Sequence, residues 1–240
     1  FIEGYARFVA PNLLEVNDQR IHADRIIVAT GSTPIVPAPW KSFGDRILTT
    51  DDFFEQPRLP SSMAVIGLGV IGLELGQSLH RMGVEVAAFD MASVIGGLSD
   101  PAVNKAAIEI IGKELPLHLG KAVEISEGQD GKLLITAGDV QMSVDKVLVA
   151  IGRTPNLASL NLQAAGISLG DNGIPPYNPH TMQIGDLPVF LAGDVDGSRP
   201  LLHEAGDEGR IAGHNAVAET ITAFRRKTPL NIIFSDPNIC

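Results

Sequence analysis

Cysteine is almost absent from this 240-residue chain. The single one, Cys240, has no partner for an intrachain disulfide or a dithiol pair, and as the last residue we read it as a boundary residue rather than a reactive thiol. Basic charge is also scarce. Eighteen Lys and Arg stand against 28 Asp and Glu, a net charge of -10. An acidic surface gains nothing from counterion release, so nucleic acid and anionic membrane are disfavoured as partners. No apolar run reaches the length of a membrane span, and the opening Phe1-Ile2-Glu3-Gly4 carries no charged leader, so a cytoplasmic location is expected. The six histidines, His22, His80, His118, His180, His203 and His214, show no metal-ligand spacing, and no metal site is expected. What the chain does have is 45% hydrophobic and 19% charged residues, enough to bury a core in one large or two medium domains.

The hydrophobic pattern predicts an α/β fold. Met63 to Ile66 is a short apolar run ending at Gly67, as in a strand buried on both faces. Val70 to Met82 then has helical spacing, with Ile71, Leu75, Ser78, Leu79 and Met82 predicted on one face and Gly83 as the stop. Glu85 to Phe89 reads as the next strand. A second helix should open after Asp100, with Pro101 at its first position and Ala106, Ile110 and Ile111 facing inward. This βαβα order implies a parallel sheet. Leu117 to Leu119 would be a third strand, Val123 to Met142 an antiparallel meander broken at Gly128 to Gly131 and at Gly138-Asp139, and Lys146 to Ala150 a further parallel strand.

The chain also repeats itself. Asp24 to Pro34 (DRIIVATGSTP) aligns without gaps on Asp145 to Pro155 (DKVLVAIGRTP), and each copy follows a meander-like stretch, the first being Tyr5 to Val16 with its break at Pro11-Asn12. Two similar nucleotide domains in tandem are implied. The first copy has no glycine-rich βα unit before it, so part of that domain is expected to be missing from the front.

Gly67-Leu68-Gly69-Val70-Ile71-Gly72 lies between a predicted strand and a predicted helix, the setting in which a glycine triplet becomes specific for a dinucleotide. Gly67 permits the tight turn, Gly69 admits a pyrophosphate to the backbone, and Gly72 allows close helix packing. The helix N-terminus then meets the phosphates with unpaired N–H groups. Asp90, at the end of the next strand, is placed to accept hydrogen bonds from both ribose hydroxyls and to repel a 2′-phosphate. No Arg or Lys follows in Met91-Ala92-Ser93, so NAD is expected over NADP.

Four segments together resemble the flavin-dependent pyridine nucleotide–disulfide oxidoreductase family: Ala29 to Pro34, Gly67 to Glu74, Gly152 to Asn156 and Leu191 to Val195. The resemblance implies a Rossmann-like NAD-binding domain, a parallel sheet plus an antiparallel β-meander, flanked by incomplete parts of a second, similar FAD-binding domain. It divides the chain into a partial FAD domain (1–57), an NAD domain (58–180), a returning part of the FAD domain (181–230) and the start of a truncated interface domain (231–240). It implies that Gly67, Leu68, Gly69, Val70, Ile71, Gly72, Leu73, Glu74, Asp90, Val123 and Gly152 line the NAD site, with Glu74 near the nicotinamide. It likewise assigns Thr30, Gly31, Ser32, Asp194, Pro200, Leu201, Leu202 and His203 to FAD. It further implies a full-length homodimer acting on a disulfide or dithiol such as lipoamide. The FAD fingerprint, the redox cysteine pair and the catalytic His–Glu pair of such proteins have no counterpart here, so no catalytic residue is assigned.

His203-Glu204 does not read as a catalytic pair, because adjacent residues on a helix point in different directions. The acidic run Glu204, Asp207 and Glu208 reads as a solvated helix face. Two readings from other classes stay open, a methyltransferase and a non-catalytic NAD-binding module.

Overall fold

A computed structural model describes all 240 residues, Phe1 to Cys240. In chain order its principal elements are β1 (Ala6–Ala10), β2 (Leu13–Val16), β3 (Gln19–His22), β4 (Ile26–Val28), β5 (Ile47–Leu48), β6 (Ser62–Ile66), α1 (Val70–Arg81), β7 (Glu85–Asp90), α2 (Pro101–Ile111), β8 (Leu117–Leu119), β9 (Glu124–Glu127), β10 (Leu133–Ala137), β11 (Val140–Val144), β12 (Lys146–Val149), β13 (Val189–Leu191) and α3 (Leu202–Val217). The chain divides into two compact units: Phe1–Thr33 with Thr154–Thr228, and Pro34–Arg153 with Pro229–Cys240.

The second of these, the glycine-turn unit, is built in three layers on a five-stranded parallel sheet ordered β5-β12-β6-β7-β8. All five residues of β6 are buried, because alternate side chains serve two cores. Met63 and Val65 pack with Leu73 and Leu79 of α1 and Ile111 of α2. Ala64 and Ile66 pack on the other face against Leu133, Ile135 and Val144 of the β9-β10-β11 meander. α2 starts as its sequence predicts, with Asp100 accepting from the N–H groups of Ala102 and Val103 and Pro101 following it.

Two helix faces differ from expectation. Gly72, Leu73, Gly76 and Leu79 form the buried side of α1, while Ser78 and Met82 are exposed. On α2 the inward residues are Ala107 and Ile111, with Ala106 and Ile110 turned outward. On α1 the cause is the glycines: they lie where the helix approaches the sheet most closely, and a residue without a side chain adds nothing to a hydrophobic pattern. At Gly76 a Cβ would stand 3.3 Å from Leu115 and 3.7 Å from Val65.

In the first unit, β13 pairs in parallel with β4, and β1, β2 and β3 form an antiparallel meander. Phe8 of β1 is buried with Ile26, Val28, Leu160, Val189 and Leu191, while Phe190 packs on the opposite side with Ile211 and Ala212 of α3. The tandem repeat is visible in the elements: in each copy a three-stranded meander leads into a parallel strand, β4 or β12, and on to Ala-X-Gly. The boundaries between the two units lie at 33/34, 153/154 and 228/229. β5 hydrogen-bonds to β12 and so draws residues before 58 into the sheet. Leu157, Leu160 and Ile167 share a core with Phe8, and Ile233 joins the core of the glycine-turn unit.

Candidate dinucleotide site

The site grows from the end of β6. The chain turns at Gly67, whose φ of 95° lies in the left-handed region, and a side chain there would meet the Ala150 carbonyl oxygen at 2.4 Å. Gly69 is the N-cap of α1, has no side-chain capping bond, and faces open space. The first turn of α1 therefore presents backbone N–H groups outward, at the positive end of the helix dipole. Gly72 closes the motif, since a Cβ there would lie 1.8 Å from the Gly67 carbonyl oxygen. Strand order reverses beside β6, with β7 on one side and β12 on the other. In doubly wound sheets ligands bind at such a switch point, beyond the carboxyl ends of the strands.

Asp90 sits at the end of β7, half-buried, 2.6 Å from the Leu68 N–H through one carboxylate oxygen and 2.8 Å from the Ala92 N–H through the other. Each oxygen keeps a further lone pair, so the carboxylate braces the turn and can still accept from two hydroxyls. The Gly120 and Lys121 N–H groups donate to the Ala92 and Asp90 carbonyls, which brings the approach to Val123 alongside Asp90. Gly152 is joined to this unit by its carbonyl, which accepts from the Ile35 N–H at 3.0 Å. Leu68 and Leu73 are buried in the core, so their side chains are unavailable to a ligand, and the Leu68 N–H is committed to Asp90. Glu74 is half-buried on α1 and accepts from the Phe234 N–H at 2.8 Å.

The other predicted set gathers within the first unit. Thr30 and Thr33 donate to Asn156, whose amide returns a bond to the Thr30 carbonyl and whose backbone N–H meets the Gly31 carbonyl. The Ser32 hydroxyl donates to Asp194 at 2.9 Å, joining the Thr30–Ser32 turn to the Gly193-Asp194 turn. Leu201 is the N-cap of α3, without a side-chain capping bond, and Leu202 and His203 are exposed.

The acidic run on α3 is a correction. Glu204, Asp207 and Glu208 are 5%, 7% and 0% exposed, gathered around the guanidinium of Arg226 at 2.6, 3.4 and 2.9 Å. Glu208 also accepts from the Gly193 N–H at 2.8 Å, so it braces the turn that carries Asp194. Burial pushes the Glu208 carboxyl above the ordinary range, with Asp196 adding to the shift, and this outweighs the pull of Arg226. Buried Asp196 accepts from the Tyr177 hydroxyl at 2.8 Å. Sequence reasoning missed Glu208, Arg226 and Asn156. A signal existed for Glu208: residues 204, 207 and 208 continue into 211, 212 and 215 at i, i+3, i+4 spacing, and Ile211 and Ala212 are core residues.

Fold and turn together define a Rossmann-type α/β protein with a glycine-rich βα turn. The model of the pyridine nucleotide-disulphide oxidoreductase family matches residues 1–209, and the chain belongs to that family. It is 33% identical to the dihydrolipoyl dehydrogenase of Thermus scotoductus, over 98% of this chain and 52% of that protein. To the mercuric reductase of Staphylococcus aureus it is 31% identical, over 99% of this chain and 44% of that one. Among solved structures, the HOCl-induced flavoprotein disulfide reductase RclA from Escherichia coli superposes with a TM-score of 0.87 at 24% identity, over 99% of this chain and 55% of that one. The chain spans about half the length of the relatives it matches. No helix is long and apolar enough to cross a membrane.

Proposed function

We propose that the glycine-turn unit holds NAD, with the pyrophosphate on the Gly67 to Gly72 turn and the N-terminus of α1 and the adenosine ribose on Asp90. The observation that carries this reading is the joint placement of an open, uncapped helix start at Gly69 and a strand-end carboxylate that hydrogen-bonds the same turn. Val123, Gly152 and Glu74 complete the lining. The donor set fits the group: N–H groups for phosphate oxygens and a carboxylate for hydroxyls.

We also propose that the Thr30–Ser32 turn, Asp194 and the start of α3 at Pro200 to His203 form one side of a flavin site. The Asp194 carboxylate has the acceptor capacity to take a ribityl hydroxyl beside Ser32. NAD and FAD, when bound, supply hydride and electron transfer; the residues of this chain hold and orient them.

The chain is then the central portion of a cytoplasmic flavoprotein disulfide oxidoreductase, a homodimer at full length, whose redox cysteines lie outside it. Dihydrolipoamide dehydrogenase is the first reading of the activity. Mercuric reductase is the second, favoured by relatives of that name at similar identity over 99% of the chain. The chain alone should show no NADH-dependent disulfide reduction, since it has one cysteine, and turnover by purified chain would contradict this. The full reading frame should be yellow. Assays of it with lipoamide, Hg(II), glutathione disulfide and a nicotinamide transhydrogenation pair separate the substrates, and absence of flavin absorbance would overturn the assignment.

A further inference from the structure

Gln77 is 4% exposed on α1, a polar side chain in the middle of an apolar helix face. A buried carboxamide is costly unless its donors and acceptor are used. Here they are used, two of the three bonds on one residue. The Gln77 Oε1 accepts from the Asp236 N–H at 2.7 Å, while its Nε2 donates to the Asp236 carbonyl at 2.9 Å and to Glu114 at 2.9 Å. A carboxamide reading both the N–H and the C=O of one residue fixes that backbone in position and orientation. Arg81 adds an ion pair to the Asp236 side chain at 2.9 Å.

The segment so held is a closed loop. Ile233 and Ile239 exchange both backbone hydrogen bonds, and Ile233 is buried against Leu73 and Gly96. Between Ile233 and Asp236 lies Phe234, whose N–H reaches the Glu74 carboxylate at 2.8 Å. Glu74 is the only charged side chain in the first two turns of α1. It lies four residues after Val70, about 6 Å along the axis from the start of the helix. A dinucleotide whose adenosine half lies at Asp90 crosses the glycine turn and must carry its second nucleoside beyond it.

We infer that Gln77 is a positioning residue for that second nucleoside: by gripping Asp236 it sets the Phe234 N–H against Glu74 and so fixes the carboxylate at the nicotinamide end. This rests on the dinucleotide reading proposed above. The ligand pair that separates the two is NADH and ADP-ribose, which shares the pyrophosphate and adenosine ribose but lacks nicotinamide.

The test is calorimetric titration of the 240-residue chain, wild type and Gln77→Met, with each ligand, together with amide hydrogen exchange. Gln77→Met keeps size and loses the polar pairing. NADH should weaken on the order of fivefold, the worth of about one ordinary hydrogen bond, while ADP-ribose stays within about twofold. Exchange at Phe234 and Asp236 should rise, with α1 amides unchanged. In a Glu74→Ala background Gln77→Met should have no further effect on NADH, because the two act as one unit. Unchanged or tighter NADH binding, or equal losses for both ligands, would overturn the inference and leave the dinucleotide site standing. Wild-type chain that binds neither ligand would overturn the dinucleotide reading and this inference with it.

Discussion

The two long buried helices of this protein meet their units in opposite ways. α1 approaches its sheet through glycines, with Gly72 and Gly76 inward and an uncapped, open N-terminus. α3 buries carboxylates, with Glu204, Asp207 and Glu208 closed around one guanidinium supplied from 18 to 22 residues away. In the first case the geometry comes from what is missing, since absent side chains leave the backbone donors of the first turn uncovered. In the second, charge is buried because a distant residue and a backbone N–H satisfy it. Close packing through glycine is sensitive to volume, whereas a buried ion cluster is sensitive to charge.

The largest effect is expected at Gly72. Gly72→Ala places a Cβ 1.8 Å from the Gly67 carbonyl oxygen, an overlap with backbone that no rotamer relieves. The loss should be on the order of 3 kcal/mol or more, or prevent folding. Urea unfolding measures it, and a near-neutral effect would show that the helix does not sit this close to the turn. Arg226→Leu comes next. Removing the one cation that meets all three buried carboxylates should cost about 3 kcal/mol, whereas the same change at Arg20, 71% exposed beside Glu15, should stay within about 1 kcal/mol.

Glu208→Gln reads out the buried charge of α3 through pH. Because the folded-state carboxyl titrates above its unfolded value, the folded state binds more protons in the interval between the two values. The stabilisation from holding that proton is full below the unfolded-state value and is lost as pH rises through the folded one. The stability of wild type minus that of Glu208→Gln should therefore fall with rising pH from the ordinary glutamate range upward and then level off. A difference that rises with pH would mean that Arg226, not burial, governs this carboxyl. α1 has no counterpart, so Gly76→Ala should leave the pH profile unchanged.

The same contrast explains what could be read in the sequence. The glycine-turn unit was legible because its signals are local: an apolar run, a glycine turn, a capped helix at Asp100 and two glycine breaks in the meander each act within a few residues. The tandem repeat was legible for the same reason. The phase of α1 was not, because the contacts of Gly72 and Gly76 carry no hydrophobic signal and Met82, apolar but 56% exposed, took their place in the pattern. In the first unit the acidic stripe looked solvated because Arg226, the cation that meets all three carboxylates, lies beyond the helix, and the role of Asn156 in knitting Thr30 to Thr33 depends on a pairing across more than 120 residues. Non-local electrostatics leaves little trace in local composition. The helical phase shared by Glu208 with Ile211 and Ala212 was the one available clue.

We propose that the Gly67 to Asp90 segment is an NAD site whose carboxylate excludes a 2′-phosphate. Parallel calorimetric titrations of the wild-type chain with NAD and NADP test it without perturbing Asp90, which also braces Leu68 and Ala92. Saturable binding of NAD is expected, with NADP weaker by about tenfold or more, roughly 1.4 kcal/mol. No NAD binding, or equal affinity for the two, would contradict it.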